Sequence, residues 1–203
     1  MTSFDIEDLM ARTDFVEGSP LTRDALAFAA DQHAGQTRAD DGVPFVTHPV
    51  EVACLLHEAG YSDEVVAAGV LHEVLEDTDV ERPELASRFG ERVAALVAAV
   101  SDDPSIEDEA QRKAALRDQV ASSSEEAGVI FAADKVSKAR ELRERMRQGG
   151  AADGDRLKLD HYRASLDMLD GLMPGLGLLE SLRAELDGLG SGGGEQRHTE
   201  LAG

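Results

Sequence analysis

The run Gly69-Val70-Leu71-His72-Glu73-Val74-Leu75-Glu76-Asp77-Thr78 constrains the fold more than any other stretch of the 203 residues. It continues Ser62-Asp63-Glu64-Val65-Val66-Ala67-Ala68, where Ser62 can cap a helix and Asp63 and Glu64 suit the positive end of its dipole. The helix this pattern predicts is apolar almost all round, which marks a central, buried element. One histidine and three carboxylates are set into it. At about 100° per residue, Glu76, Glu73 and Asp77 share with His72 an arc of about 140°, while Leu71, Val74 and Leu75 hold the opposite side. Gly69 lies on the polar arc one turn earlier, where it is expected to leave a gap for substrate or water. Carboxylates crowded on a buried face repel one another and lose hydration, so a strong cation is required beside them.

The rest of the chain supports an all-α domain. Aromatics make up only 4% of the residues and Trp is absent, so the core is built from Ala, Leu and Val, and β-branched runs between turns are scarce. Helices are expected over Thr22–His33, from Pro49 to a stop at Gly60, from Glu81-Arg82-Pro83-Glu84 to Gly90, over Arg92–Val100 and over Glu109–Val120. Another starts at the capping cluster Ser122-Ser123-Ser124, and a last helix or helix pair covers Arg156–Asp187 with a break near Pro174-Gly175. Pro49 at a first turn makes His48 a non-helical cap residue whose ring can turn inward. His33 is read as a helix-ending residue and His57 as a surface one. The organisation expected is a lead-in over 1–20 with a short helix at Phe4–Met10, one domain of about eight to ten helices over 21–187, and a disordered Gly/Ser-rich tail over 188–203.

A net charge of −21 argues against a nucleic-acid polymer as partner. It does not exclude a small anionic ligand, because twelve of the 20 basic residues fall between Arg112 and Arg163. Most of these read as solvated helix faces with pairs such as Arg140–Glu144. Cys54, the single cysteine, sits in an apolar helical stretch as a buried thiol. With no signal segment and no apolar run approaching about 18 residues, a cytoplasmic protein without a membrane partner is expected. Nothing in the sequence fixes an oligomeric state.

The histidine–carboxylate set extends beyond the central helix. His48, His72, Glu73 and Asp134 would make a mixed nitrogen and oxygen site suited to Mn²⁺, Fe²⁺, Co²⁺ or Zn²⁺, and Glu76 and Asp77 lie one turn on, where an acid or base is useful.

His33-Ala-Gly35-Gln36-Thr-Arg38, Gly42-Val-Pro44, His48-Pro49-Val-Glu-Val52-Ala53, Leu71-His72-Glu73 with Glu76-Asp77-Thr78, Phe89-Gly90 and Ala133-Asp134-Lys135 occur in this order. Together they resemble the HD-type hydrolase domain of RelA/SpoT homologues, most closely the small hydrolase-only members that act on (p)ppGpp. The resemblance covers roughly residues 21–185. It implies an all-α HD fold that binds Mn²⁺, or another divalent transition metal, through His48, His72, Glu73 and Asp134. It further implies an activated water, assisted by Glu76 and Asp77, attacking the 3′-pyrophosphate of a small anionic nucleotide. Arg38 and Lys113 fall where the family places cations for phosphate or base, and Lys158 and Tyr162 match further substrate contacts.

Two departures stand out: Glu73 where the family has Asp, and Lys138 where it has an Asn that contacts the nucleotide. Lys138 could hold an extra substrate phosphate, or pair with Asp134 or Glu73 and fill the space. The alternatives to a (p)ppGpp 3′-pyrophosphohydrolase are therefore the same chemistry on another phosphorylated nucleotide or cofactor, and a non-catalytic nucleotide-binding module.

Overall fold

The computed structural model describes residues 14–38, 43–149 and 154–190. Within them, a 3₁₀ turn at Asp14–Gly18 leads into ten helices: α1 (Pro20–Gln32), α2 (Thr47–Glu58), α3 (Asp63–Leu71), α4 (Val74–Asp77), α5 (Arg82–Phe89), α6 (Glu91–Val100), α7 (Glu109–Ala121), α8 (Glu125–Arg147), α9 (Asp155–Leu172) and α10 (Gly177–Gly190). Among the described residues the one β feature is an isolated bridge, Thr37 to Pro44. The all-α expectation holds. The short helix expected at Phe4–Met10 lies outside the described residues, as does the tail from 191. Gly188 to Gly190, placed in that tail by composition, instead finish α10.

Two helices form the centre. α3 packs against α1, α2, α6 and α8, while α8 packs against α2, α6, α9 and α10. Every residue of α3 from Val65 to Leu71 is buried, as are those of α8 from Ala127 to Ser137. Leu56, Leu71, Leu85, Ile130 and Phe131 are among the largest fully enclosed side chains. Each contributes on the order of 1.5–3 kcal/mol by leaving water. The polar groups carried on these helices are therefore held in a close-packed frame. No described helix is long and apolar enough to cross a membrane.

Local signals are partly redirected by packing. Ser124 caps α8, its hydroxyl accepting from Ala127 N at 3.2 Å. Ser62 sits at the start of α3 but makes no side-chain cap bond. Its neighbour Asp63 instead reaches across to the start of α1 and accepts from Leu21 N at 3.1 Å and Thr22 N at 3.0 Å. One carboxylate thus satisfies two unpaired helix donors and ties α1 to α3.

Gly69 does not leave a gap. A Cβ there would fall well inside contact distance of Leu56 Cδ1 and 3.3 Å from Val52 Cγ1. The glycine lets α3 approach α2 closely, and that approach sets the separation of the histidines the two helices carry.

Candidate metal centre

The helix expected across residues 62–78 is interrupted at the residues that matter most. α3 stops at Leu71, His72 and Glu73 form a turn with right-handed helical dihedrals, and α4 resumes at Val74. His72 Nδ1 lies 2.7 Å from the carbonyl oxygen of Gly69. A continuous helix would give that carbonyl to the N–H of Glu73. An imidazole N–H takes it instead, and the ring is held with Nε2 turned away from its own helix. Thr78, extended, closes the short turn and returns its hydroxyl to Val74 O at 2.6 Å.

His48 is also placed differently from expectation. α2 begins at Thr47, so His48 lies inside its first turn rather than before it. Its ring does turn inward. Nε2 of His48 is 3.1 Å from Nε2 of His72, and Nδ1 is 2.9 Å from Ser137 Oγ on α8. Asp134, also on α8, brings Oδ1 to 3.2 Å from His48 Nε2 and 3.3 Å from His72 Nε2. Glu73 Oε1 lies 3.6 Å and 3.2 Å from the same two nitrogens. All four residues are buried, and their four donor atoms lie within 4.8 Å of one another.

Cationic side chains already in the fold keep the two carboxylates of the cluster ionised. Burial alone would raise the Glu73 and Asp134 carboxyls. Lys138 and His72 overcome this at Glu73, and Lys135 and Lys138 at Asp134, holding both well below the ordinary range. Burial likewise opposes protonation of His72, yet Glu73 and Asp134 push it up to about 10. Asp134 Oδ1 is enclosed without a well-formed hydrogen bond, although Lys138 Nζ lies 3.1 Å away. Two imidazole nitrogens and two ionised carboxylate oxygens converging from buried residues fit a divalent transition metal.

Glu76 and Asp77 follow on α4 and are both accessible, facing an open polar groove shared with Gln32, Gln36, Thr78 and Asp79. Glu76 Oε1 accepts from Asp102 N at 2.7 Å, and the carbonyl of Asp77 accepts from Gln36 Nε2 at 3.1 Å. Partial desolvation and then the charge of Glu73 raise both carboxyls above their usual values.

On the other side lies a cavity of about 270 Å³, lined by Lys113, Lys135, Lys138, Lys158, Arg145, His161 and Tyr162 among others. Lys138 joins the two regions: it lines the cavity while its Nζ stands 2.6 Å from Glu73 Oε1. Lys113 is paired with Asp102 at 2.5 Å. Arg38 pairs with Glu141, another residue of the cavity wall, at 2.9 Å. Tyr162 is buried, and desolvation raises its hydroxyl pKa.

Sequence reasoning passed over several buried polar groups. Lys135, 2% exposed, pairs with Asp134 Oδ2 at 2.5 Å and lies 4.3 Å above the Phe131 ring. Glu51 and Ser137 are buried behind His48. A signal for Glu51 existed: it is an acid inside the apolar run Val50, Val52, Ala53, Cys54. Ser137 carried none, since a serine in a helix is ordinary.

Comparisons with known proteins show what the chain is similar to. The HD domain family model matches residues 25–153. The guanosine-3′,5′-bis(diphosphate) 3′-pyrophosphohydrolase MESH1 of Mus musculus is 40% identical over 122 residues, covering 59% of this chain and 68% of that protein. Its Danio rerio counterpart is 38% identical over 128 residues, covering 62% and 71%. The solved structure of a metazoan orthologue of SpoT that hydrolyses ppGpp and plays a role in starvation responses superposes with a TM-score of 0.75 at 29% identity. That match covers 85% of this chain and 97% of the other.

Proposed function

The chain belongs to the HD domain family, and from that premise we propose that it is a metal-dependent (p)ppGpp 3′-pyrophosphohydrolase. It adds water across the 3′-ester to give GDP or GTP and pyrophosphate. The carrying observation is the convergence of two imidazole nitrogens and two carboxylate oxygens within 4.8 Å, beside a cavity walled by lysines. Relatives 40% and 38% identical over 59% and 62% of this chain carry that activity in their names.

His48, His72, Glu73 and Asp134 are the residues that would hold the metal, with Mn²⁺ the ion we assign. Bound there, a divalent cation supplies Lewis-acid polarisation of a phosphoryl oxygen and activation of water. Asp77 and Glu76, whose carboxyls desolvation and the charge of Glu73 raise above their usual values, are suited to take the proton of the attacking water and to return one to the leaving oxygen. The Asp102 N–H bond fixes Glu76, so its second oxygen can face the reaction. On the cavity side, Lys113, Lys138 and Lys158, with Arg38 at the rim and Tyr162 in the wall, neutralise and orient the phosphates. A free nucleotide substrate and a single buried thiol fit a cytoplasmic enzyme.

Lys138 favours one second reading. A lysine at the junction of cluster and cavity adds a cation that a substrate with another phosphate arrangement could use, so the same chemistry on a different phosphorylated nucleotide or cofactor is the alternative. Pyrophosphate release from ppGpp by purified protein with excess Mn²⁺ tests the first reading, and Asp77→Asn should lower it by at least about a hundredfold. No turnover of ppGpp, with turnover of a non-guanine compound in the same panel, would replace it with the second.

A further inference from the structure

Behind His48 runs a chain of buried charges that the reaction itself does not use. Ser137 Oγ lies 2.9 Å from His48 Nδ1 and donates its single proton to Glu51 Oε2 at 2.7 Å. Glu51 Oε1 accepts from Arg140 Nη1 at 2.5 Å. Arg140 in turn donates through Nε to Glu185 Oε1 on α10 at 3.1 Å. Glu51, Ser137 and Glu185 are all buried. Three helices, α2, α8 and α10, are thereby linked through one line of polar contacts.

The direction of every bond in this line is fixed. A guanidinium can only donate, and the ionised carboxylate of Glu51 can only accept. The Ser137 hydroxyl proton is therefore committed to Glu51, and Ser137 has only lone pairs to offer His48. The proton of the neutral imidazole must then sit on Nδ1, leaving Nε2 with its lone pair aimed at His72, Glu73 and Asp134. We propose that Glu51, polarised by Arg140, is a positioning residue that acts through Ser137 to hold His48 in the tautomer able to ligate a metal. The proposal rests on His48 being a metal ligand, as in the function proposed above. Nε2 itself faces both Asp134 Oδ1 at 3.2 Å, which would favour a proton there, and His72 Nε2 at 3.1 Å, so the Ser137 contact at Nδ1 is the one that selects the tautomer open to a cation.

The near-isosteric change Glu51→Gln tests it. Arg140 still requires an acceptor, so the amide oxygen turns to Arg140 and the amide NH₂ faces Ser137. Ser137 then accepts from the amide and donates to His48 Nδ1, which moves the imidazole proton to Nε2. Glu51→Gln should therefore weaken Mn²⁺ binding by about 10–100-fold, the range for removing an outer partner of a ligand. Adding Arg140→Met frees the amide to turn its oxygen back to Ser137, and the double variant should regain most of the lost affinity. A role limited to the Glu51–Arg140 ion pair predicts the reverse, with the double variant no better than the single.

Mn²⁺ binding is read from its electron paramagnetic resonance signal, and the tautomer from the ¹⁵N shifts of His48 in the metal-free protein. An Nε2–H tautomer in the wild type overturns the proposal whether or not the variants fold. So does Mn²⁺ binding by folded Glu51→Gln equal to wild type, or a double variant that binds no better than the single. Failure of the wild type itself to bind Mn²⁺ would instead remove the metal reading beneath it.

Discussion

Gly69→Ala probes how closely the fold has to hold its two histidines. The glycine lies in α3, against Val52 and Leu56 of α2. In an open helical site the change would stabilise by up to about 1 kcal/mol, because alanine restricts the unfolded chain and favours the helix. Here the new methyl overlaps Leu56 Cδ1 and lies 3.3 Å from Val52 Cγ1. Both neighbours are fully buried, so the overlap is relieved by forcing Leu56 off its rotamer or by moving α3 away from α2.

Overpacking of this kind costs about 1–3 kcal/mol. Set against the helical gain, the net effect is a loss of about 1 kcal/mol. For a chain of this length that is about 2–4 °C in Tm. The functional effect should be larger. His48 rides on α2 and His72 ends α3, with their nitrogens 3.1 Å apart, and a misplacement of about 1 Å can cost as much as a hundredfold in rate. Urea unfolding in the presence of a chelator reads the first effect, and kcat/KM for nucleotide hydrolysis reads the second. Gly171→Ala, near the end of α9 with nothing within 4 Å of its new methyl, is the control and should be neutral or stabilising. If Gly69→Ala behaves like that control and keeps full kcat/KM, the close approach of α2 and α3 does not set the site.

Metal uptake should release about one proton at neutral pH. With His72 pushed up to about 10 in the metal-free protein, its Nε2 proton must leave, and apparent affinity should rise about tenfold per pH unit up to that value. Calorimetry in buffers of different ionisation heat measures this, and zero proton release between pH 6 and 9 contradicts the assignment. The raised pKa also means that His72 stabilises the metal-free fold fully below pH 6.5, a contribution lost as the pH climbs to about 10. Glu73→Asp withdraws the carboxylate by about one bond length, beyond the ~0.5 Å tolerance of such a site; kcat/KM should fall about 10–100-fold, and a rise would show that the glutamate attenuates the enzyme. Lys138→Met removes a competing cation from Glu73 and Asp134. Its side chain is 30% exposed, so a gain of about fivefold in Mn²⁺ affinity is expected, together with a higher KM for the phosphorylated substrate.

Much of the candidate site was legible because its chemistry violates local rules. A histidine and an acid inside a buried apolar stretch demand a cation, and this demand is visible at His72 and Glu73 without any fold, although Glu76 and Asp77, expected on the same buried face, are exposed. The helical class followed from Ala, Leu and Val periodicity, and the break near Pro174-Gly175 from the residues themselves. Periodicity reports only what lies within a turn or two of a residue, so it assigned Arg140 to Glu144. Packing gave Arg140 to Glu51 and Glu185, 89 and 45 residues away in sequence.

The same limit hid the interruption at His72. A helical wheel assumes an unbroken ladder, whereas His72 takes the carbonyl of Gly69 for its ring and turns Nε2 towards His48, 24 residues distant. Gly69 itself was ambiguous in one dimension, since a missing side chain is either space or contact, and the approach of α2 made it contact. The sequence alone therefore determined that this chain is helical and carries an acid-rich histidine motif in need of a cation. Which residues converge, which nitrogen each imidazole presents and where Lys138 stands were decided by tertiary structure, because those distances exist only once α2, α3 and α8 are packed together.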